Sequence, residues 1–125
     1  MKYLLDTHAL LWYLFDNENL SGTALNIINN EVCYYTKVSL WEIAIKQTRK
    51  LLNYKQSILD IIDACKEEDF DELSVSGKSL ELIKKLPDIH RDPFDRLLIT
   101  MAIERDLTII TKDSKISLYD VKTVW

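Results

Sequence analysis

Acidic residues stand at four separate places in this sequence where divalent-metal chemistry would need them. Asp6, Glu42 and Asp113 lie at or beyond the ends of predicted strands. Asp95 lies in the first turn of a predicted helix. Carboxylates within a few ångströms of one another repel, and a fold keeps such a cluster mainly when a divalent cation neutralises it. Oxygen-rich sites of this kind suit Mg²⁺ or Mn²⁺ better than zinc. The four acids therefore predict a Mg²⁺ or Mn²⁺ site.

Each acid taken alone also has a structural interpretation. The run from Ser39 to Glu42 fits the S-x-x-E capping box, in which the glutamate reaches back to the first free N–H of the helix. Asp6 suits a helix cap, while Asp95 and Asp113 suit first turns, where the helix dipole favours negative charge. For a single acid the capping interpretation is favoured, and only the convergence of four on one sheet edge favours a metal.

The elements that must position these acids alternate along the chain. Hydrophobic patterning predicts strands over residues 3–5, 32–36, 73–75, 107–110 and 121–124. Helices are predicted over about 9–15, 22–30, 40–48, 55–68, 77–86 and 112–118, with a further helix that opens at Pro93. Strands that alternate with helices form βαβ units, which predicts an α/β fold of three layers, α/β/α, with a mostly parallel central sheet. Such sheets bind ligands beyond the carboxyl ends of their strands.

Length and composition predict one domain over residues 1–125. Hydrophobic residues make up 47% of the chain, enough for a sizeable core, and only 2 Gly and 2 Pro leave no linker or low-complexity tract. Cys33 and Cys65 form no metal-binding pattern and are expected to be buried small hydrophobes in a reducing compartment. No apolar run reaches the ~18 residues of a membrane helix. We therefore expect a soluble, cytoplasmic protein without a membrane partner.

The charge balance excludes a broad basic surface for gripping nucleic acid. Lys and Arg number 16 against 20 Asp and Glu, a formal charge of −4, so a nucleic-acid partner needs local basic residues or bridging metal ions. Without the four candidate acids the chain has 16 acidic and 16 basic residues. Basic residues near the acids in sequence could form a rim around an acidic centre, and they are Lys46, Arg49, Lys50, Arg91, Arg96, Lys112 and Lys115.

Four runs of sequence carry a family resemblance. They are LLDTHALLW at 4–12, SLWEIAIK at 39–46, HRDPFDRLLI at 90–99 and LTIITKD at 107–113. In this order and spacing, over almost the whole chain, they resemble the motifs of a PIN-domain nuclease, and the nearest branch is the VapC-like toxins of bacterial type II toxin–antitoxin pairs. One departure is Arg49-Lys50-Leu51, where relatives often carry Gly-Lys-Leu; it concerns the turn after the helix and not the acids.

The resemblance implies a Mg²⁺- or Mn²⁺-dependent endoribonuclease that hydrolyses RNA phosphodiester bonds. The metal-binding and catalytic acids that it implies are Asp6, Glu42, Asp95 and Asp113. Residues expected to support these acids or to contact substrate are Thr7, Ser39, Lys46, Arg96 and Thr111. Lys46 is either an ion-pair partner of Glu42 or a phosphate contact, and Arg96 either an ion pair that holds the site or an RNA contact. The resemblance also implies a cognate antitoxin and a homodimer.

Neighbouring residues are expected to have structural roles. Asp92 is expected to cap the helix that Pro93 opens. His8 and His90 are expected to be hydrogen-bonded structural groups, because metal-assisted hydrolysis needs no histidine base. The aromatic run from Trp12 to Phe15 is expected to pack in the core, with a partner surface as the alternative.

Three other functions stay open. A metal-dependent phosphatase-like α/β protein would use Asp6 as its nucleophile. The haloacid-dehalogenase-like pattern D-x-D is not met, however, because His8 stands at the second position. A binding module that has lost turnover is disfavoured, since all four acids are present. A PIN-type RNA-processing nuclease that acts without an antitoxin would share every motif.

Overall fold

A computed structural model describes all 125 residues as strands that alternate with helices. The strands are β1 (Lys2–Leu5), β2 (Val32–Tyr35), β3 (Asp71–Glu72), β4 (Thr108–Ile110) and β5 (Thr123–Val124). The helices are α1 (Thr7–Phe15), α2 (Gly22–Asn30), α3 (Lys37–Thr48), α4 (Ile58–Glu67), α5 (Gly77–Ile83) and α6 (Pro93–Arg105). Short 3-10 helices lie at Asn17–Asn19 and Ile116–Leu118.

The five strands form one sheet in the order β3-β2-β1-β4-β5, and every neighbouring pair is parallel. Alternation along the central strand β1 sends Tyr3 and Leu5 into one hydrophobic core and Leu4 into another. The first core is completed mainly by α1 to α4, and the second mainly by α6. Helices therefore cover both faces, which confirms the predicted three-layer α/β/α fold.

Helices α1 and α3 begin earlier than the hydrophobic pattern predicts, because polar residues at the strand ends cap them. The Asp6 carboxylate accepts a hydrogen bond from the Ala9 N–H at 2.8 Å, so α1 begins at Thr7. The Thr36 hydroxyl accepts from the Val38 N–H at 3.3 Å, so α3 begins at Lys37. Ser39 and Glu42 consequently lie inside α3, and their interpretation as a capping box is wrong.

Other boundaries were predicted within a few residues. Strand β3 lies at Asp71–Glu72 instead of 73–75, and α5 ends at Ile83 instead of Leu86. The expected helix over 112–118 is only the 3-10 turn Ile116–Leu118. Helix ends fray and the last turn is often 3-10, so boundaries of short elements shift by one or two residues.

Both cysteines are free and buried in the first core, as expected. Burial raises the pKa of Cys33 to about 11 and that of Cys65 to about 12, so neither is a reactive thiolate. No helix combines the length and the apolar character needed to cross a membrane.

Candidate metal centre

A polar cleft of about 510 Å³ opens beside the carboxyl ends of β1 and β4. Twelve residues line it: Asp6, Thr7, His8, Trp12, Glu42, Lys46, His90, Asp92, Asp95, Lys112, Asp113 and Ser114. All four acids singled out in the sequence are among them, and Trp12 is the only hydrophobic residue of the lining. The topology therefore brings together acids that are as far apart in the sequence as Asp6 and Asp113.

Strand β1 delivers Asp6 to the floor of the cleft. Only 6% of this residue is exposed, and its carboxylate caps α1 through the Ala9 N–H. Burial raises the pKa of Asp6, and the hydroxyl of Thr111 and the Ala9 N–H only partly offset that rise. Asp6 thus serves as a helix cap and still lines the cleft, so the two interpretations are compatible for this acid.

Helix α3 holds Glu42 with both carboxylate oxygens occupied. The Thr7 hydroxyl donates to Oε1 and the Lys46 ammonium to Oε2, each at 2.6 Å. The side chain of Glu42 is only 4% exposed and that of Lys46 29% exposed, so this is a part-buried ion pair and not a solvated surface pair. Burial by itself lowers the pKa of Lys46, but the hydrogen bond and charge of Glu42 outweigh it and raise the pKa. Lys46 therefore stays protonated against Glu42.

Helix α6 delivers Asp95, and Asp92 caps that helix as expected. The Asp92 carboxylate accepts from the N–H groups of Phe94 at 2.9 Å and Asp95 at 3.4 Å. Burial, followed by the negative charges of Asp92, Glu42 and Asp6, raises the pKa of Asp95 to about 7. Without a cation, repulsion between the carboxylates thus disfavours the state in which all of them are ionised. A bound divalent cation would offset that repulsion.

Loop residues after β4 deliver Asp113. The Thr111 hydroxyl accepts from the Asp113 N–H at 3.0 Å, and one Asp113 oxygen accepts from the Lys115 N–H at 2.8 Å. The other oxygen faces the cleft and meets His90. Thr111 therefore aims the acid through the backbone.

His90 bridges two of the acids. Its Nε2 lies 2.9 Å from Asp95 Oδ2 and 3.0 Å from Asp113 Oδ2, while its Nδ1 accepts from the Asp92 N–H at 3.3 Å. A ring nitrogen that accepts carries no proton, so the hydrogen bonds assign the ring proton to Nε2. The three ligand atoms lie within 4.8 Å of one another. In the Nε2–H tautomer, His90 donates to the two carboxylates and is not itself a metal ligand. The expectation of a hydrogen-bonded histidine agrees with this geometry; its place between two acids was not foreseen.

Tyr119 and Arg96 hold the segment that carries His90. The Tyr119 hydroxyl accepts from the N–H groups of Ile89 at 3.2 Å and His90 at 2.7 Å, and it donates to the Pro87 carbonyl at 2.9 Å. Arg96 donates to the carbonyls of Pro87 at 3.0 Å and His90 at 3.3 Å. The ion pair suggested for Arg96 is absent. Nothing in the sequence marks Tyr119, because its partners are mostly backbone atoms that any residue supplies.

The structure places Ser39 and most of the expected basic rim outside the cleft. Ser39 is 1% exposed, does not line the cleft, and its hydroxyl has no hydrogen-bond partner. Of the seven bases proposed as a rim, only Lys46 and Lys112 line the cleft. Lys112 forms no ion pair with any acid. Its charge therefore stays available to a ligand.

Carboxylate oxygens dominate the donor set, which fits a hard divalent cation such as Mg²⁺ or Mn²⁺. A parallel sheet covered on both faces, with such an acidic cleft at its carboxyl edge, defines an α/β/α protein with a candidate divalent-metal centre. A sequence model of the PIN domain family matches residues 3–122, so the chain belongs to the PIN domain family.

Solved structures share the fold at low sequence identity. One match is VapBC2 from Rickettsia felis, with a TM-score of 0.75 at 14% identity. That crystal structure holds VapBC2 bound to a DNA fragment from its promoter. The match covers 100% of this chain and 99% of that one. FitAcB from Neisseria gonorrhoeae matches with a TM-score of 0.69 at 14% identity, covering 98% of this chain and 96% of that one. A comparison with curated protein sequences gives no match.

Proposed function

We propose that this PIN-domain protein is a Mg²⁺- or Mn²⁺-dependent endoribonuclease. One observation carries the proposal: the acids of all four family-like motifs line a single cleft, whose only lysines are Lys46 and Lys112. The acids are Asp6, Glu42, Asp95 and Asp113. A cluster that resists its own ionisation is well suited to a divalent cation and poorly suited to a purely structural role.

The four acids would hold the metal, and Lys112 would contact the RNA. A bound divalent ion supplies charge neutralisation at the scissile phosphate and lowers the pKa of a bound water. Glu42 is held in one orientation by Thr7 and Lys46, and Asp113 is aimed by Thr111, so these acids meet the ligand preorganised. Lys112 lines the cleft without an ion-pair partner, and it would contact a phosphate of the RNA backbone.

The reaction would be a hydrolysis in which water attacks phosphorus from the side opposite the leaving oxygen. The oxygen of a water molecule forms a bond to phosphorus, and the bond from phosphorus to one ribose oxygen breaks. One water proton leaves to the carboxylates or solvent, and the departing ribose oxygen takes up a proton.

The phosphatase alternative is weaker, because Asp6 is 6% exposed and its carboxylate accepts a hydrogen bond from the Ala9 N–H. A buried carboxylate that is already hydrogen-bonded is poorly placed to act as a nucleophile.

We further propose that the chain is a single-domain, cytoplasmic VapC-like toxin that forms a homodimer and is blocked by a cognate antitoxin. The four-motif pattern and the fold match to VapBC2 over the full chain support this assignment. An RNA-processing PIN nuclease without an antitoxin remains the alternative. Co-expression separates the two, since only a toxin arrests growth in a way that one particular partner protein reverses.

Cleavage of a labelled single-stranded RNA in Mn²⁺ tests the proposed activity. We expect the wild type to cut only with metal and Asp95→Asn to lose at least about 100-fold in rate, because charge stabilisation at the phosphate is lost. Asp92→Asn is the matched control: it removes the same charge from the same cleft, and asparagine still caps a helix, so we expect it to keep most of the activity. Wild-type rates for Asp95→Asn would overturn the proposal.

A further inference from the structure

A second pocket, of about 590 Å³, opens where helix α3 ends, outside the acidic cleft. Six residues line it, and none of them lines the cleft: Gln47, Lys50, Leu52, Asn53, Tyr54 and Lys55. No acid is among them, although the chain carries 20 acidic residues against 16 basic ones. Lys50 and Lys55 are exposed, and neither forms an ion pair. Two lysines without counter-charges therefore line one pocket, which favours an anionic ligand.

The backbone at Lys50 has a conformation that does not suit a lysine. Helix α3 ends in a Schellman motif, in which the Leu51 N–H donates to the Lys46 carbonyl at 2.8 Å. Lys50 has a φ of 57°, in the left-handed region where glycine or asparagine is usual at the end of a helix. The other two residues with positive φ, Asp69 and Asp106, are aspartates, which tolerate this region. Backbone geometry therefore does not explain the lysine, whereas a need for its charge in the pocket does.

The loop that carries Lys55 is fixed to α3. The side-chain amide of Gln47 donates hydrogen bonds to the carbonyls of Tyr54 at 3.2 Å and Gln56 at 2.9 Å. These bonds hold the loop against the helix, and they engage two carbonyl oxygens that would otherwise repel an anion. The one acid bonded to a lining residue is Asp16, which accepts from the Tyr54 hydroxyl at 3.1 Å and does not itself line the pocket. The pocket is therefore preorganised before a ligand arrives.

The pocket follows the cleft along α3. Glu42 and Lys46 of this helix line the cleft, and Lys50 comes four residues after Lys46, a rise of about 6 Å. Lys46 is paired with Glu42, so Lys50 is the first lysine without an ion pair beyond the cleft on this path. An RNA strand that leaves the cleft in this direction brings a phosphate with every nucleotide, and lysine binds phosphate as a point charge.

We propose that Lys50 and Lys55 form a second phosphate-binding site, which holds the RNA backbone outside the cleft. Phosphate contacts of this kind position a nucleic acid and carry no sequence information. The site would raise the affinity for any RNA that spans the cleft and the pocket, and it would take no part in breaking the bond. This inference rests on the proposed nuclease function.

The test removes both positive charges without harming the fold. Lys50→Asn installs a residue that suits the left-handed region, and Lys55→Gln keeps a polar side chain, so the melting temperature of this double variant should be no lower than that of the wild type. The matched control is Lys78→Gln with Lys85→Gln. These exposed lysines also line one pocket without ion pairs, but that pocket includes two glutamates. Both double variants change the net charge equally, so a difference between them is local.

Fluorescence anisotropy of a labelled single-stranded RNA of random sequence measures binding over a range of KCl concentrations. Asp95→Asn serves as the background, because its cleavage is expected to be slow. Each phosphate contact to a single strand contributes about 0.7 to the slope of log K against log salt. We expect Lys50→Asn with Lys55→Gln to lower that slope by about 1.4 and to raise Kd by about 10-fold at about 0.1 M salt. The control variant should keep the slope of its background.

Cleavage of the same RNA in Mn²⁺, with Asp95 intact, separates binding from chemistry. A contact outside the cleft holds the substrate and the transition state equally. We therefore expect Lys50→Asn with Lys55→Gln to raise KM by about 10-fold at about 0.1 M salt and to leave kcat unchanged.

The contrary outcomes distinguish the two proposals. An unchanged salt slope, or an equal loss in the control variant, would overturn the phosphate site and leave the nuclease intact. A fall in kcat at unchanged KM would do the same. If the wild type cuts no RNA but the slope falls as expected, the nuclease proposal fails and the phosphate site stands. A protein that binds no RNA would contradict both.

Discussion

On the α3 side of the cleft, Glu42 is met at 2.6 Å by a protonated lysine and a hydroxyl. On the α6 side, Asp95 and Asp113 have no lysine or arginine partner and share one N–H donor, that of His90. The negative charges of other carboxylates raise the pKa of Asp95. A lysine of the chain therefore neutralises the carboxylate on the α3 side, whereas no lysine or arginine neutralises the two carboxylates on the α6 side. The difference shows where the fold leaves charge for a cation to balance.

Among the groups that position the acids, the largest effect is expected from removing the bridge on the α6 side. His90→Ala deletes the donor that holds Asp95 and Asp113 together, and loss of a group that orients metal ligands costs about 10- to 100-fold in activity or metal affinity. The chain has only two histidines, so a long-range ¹H–¹⁵N spectrum resolves His90 against His8. We expect the Nε2–H tautomer with and without Mg²⁺.

The spectrum also separates two roles for His90. A switch to the Nδ1–H tautomer on addition of Mg²⁺ would make Nε2 a metal ligand and would contradict the assignment of His90 as a donor. Tyr119→Phe is the milder companion, since it removes only the hydroxyl that fixes the loop at the Ile89 and His90 N–H groups.

A smaller effect is expected on the α3 side. Lys46→Met leaves Glu42 buried without its cation, and breaking such a pair destabilises a protein. Because Lys46 is partly exposed, we expect a loss of about 1–2 kcal/mol in urea unfolding with EDTA present. The double variant Glu42→Gln with Lys46→Met should recover most of it. Unchanged stability of the single variant would show that the two sides are not different.

The pH dependence of stability in EDTA tests the α6 side by itself. The folded pKa of Asp95 is about 7 against an ordinary value of 3.8, so the folded state binds the proton more tightly than the unfolded state. This contribution is fully present below about pH 4 and is lost as the pH rises through about 7. The melting temperature should therefore fall from pH 4 to 7, less steeply in Asp95→Asn.

Saturating Mn²⁺ gives the control for that titration. Metal binding requires deprotonated carboxylates, so the metal-loaded protein should gain stability as the pH rises over the same window. The same slope with and without Mn²⁺ would show that Asp95 does not face the metal.

Much of the fold follows from local pattern, and so does the list of acids. Ser21 and Ser76 cap α2 and α5 with the serine chemistry that capping rules describe, and Pro93 opens α6. The helix predicted from residue 55 begins instead at Ile58, because Ser57 caps it. The error at Ser39 has a physical cause: α3 begins at Lys37, because Thr36 at the end of β2 caps it first. A local motif cannot show that a stronger cap lies three residues earlier.

The parts of the site that the sequence hid are long-range contacts. The partners of His90 lie on α6 and beyond β4, and Tyr119 acts on backbone groups about 30 residues away. Trp12 shares an apolar run with residues of the core, and only the turn of the helix separates it from them. Residue type predicts which groups can do chemistry, whereas tertiary structure decides which of them meet.

Thermal unfolding in a Mn²⁺ titration tests the central claim most directly, with wild type, Asp95→Asn and Asp92→Asn compared. A ligand at about 100 times its dissociation constant stabilises the folded state by about 2.7 kcal/mol. We predict a stabilisation of this order for wild type and Asp92→Asn and much less for Asp95→Asn, which without metal should be more stable than the wild type. A wild type unmoved by Mn²⁺, with Asp95→Asn destabilised, would make Asp95 a helix-capping acid and contradict the metal centre.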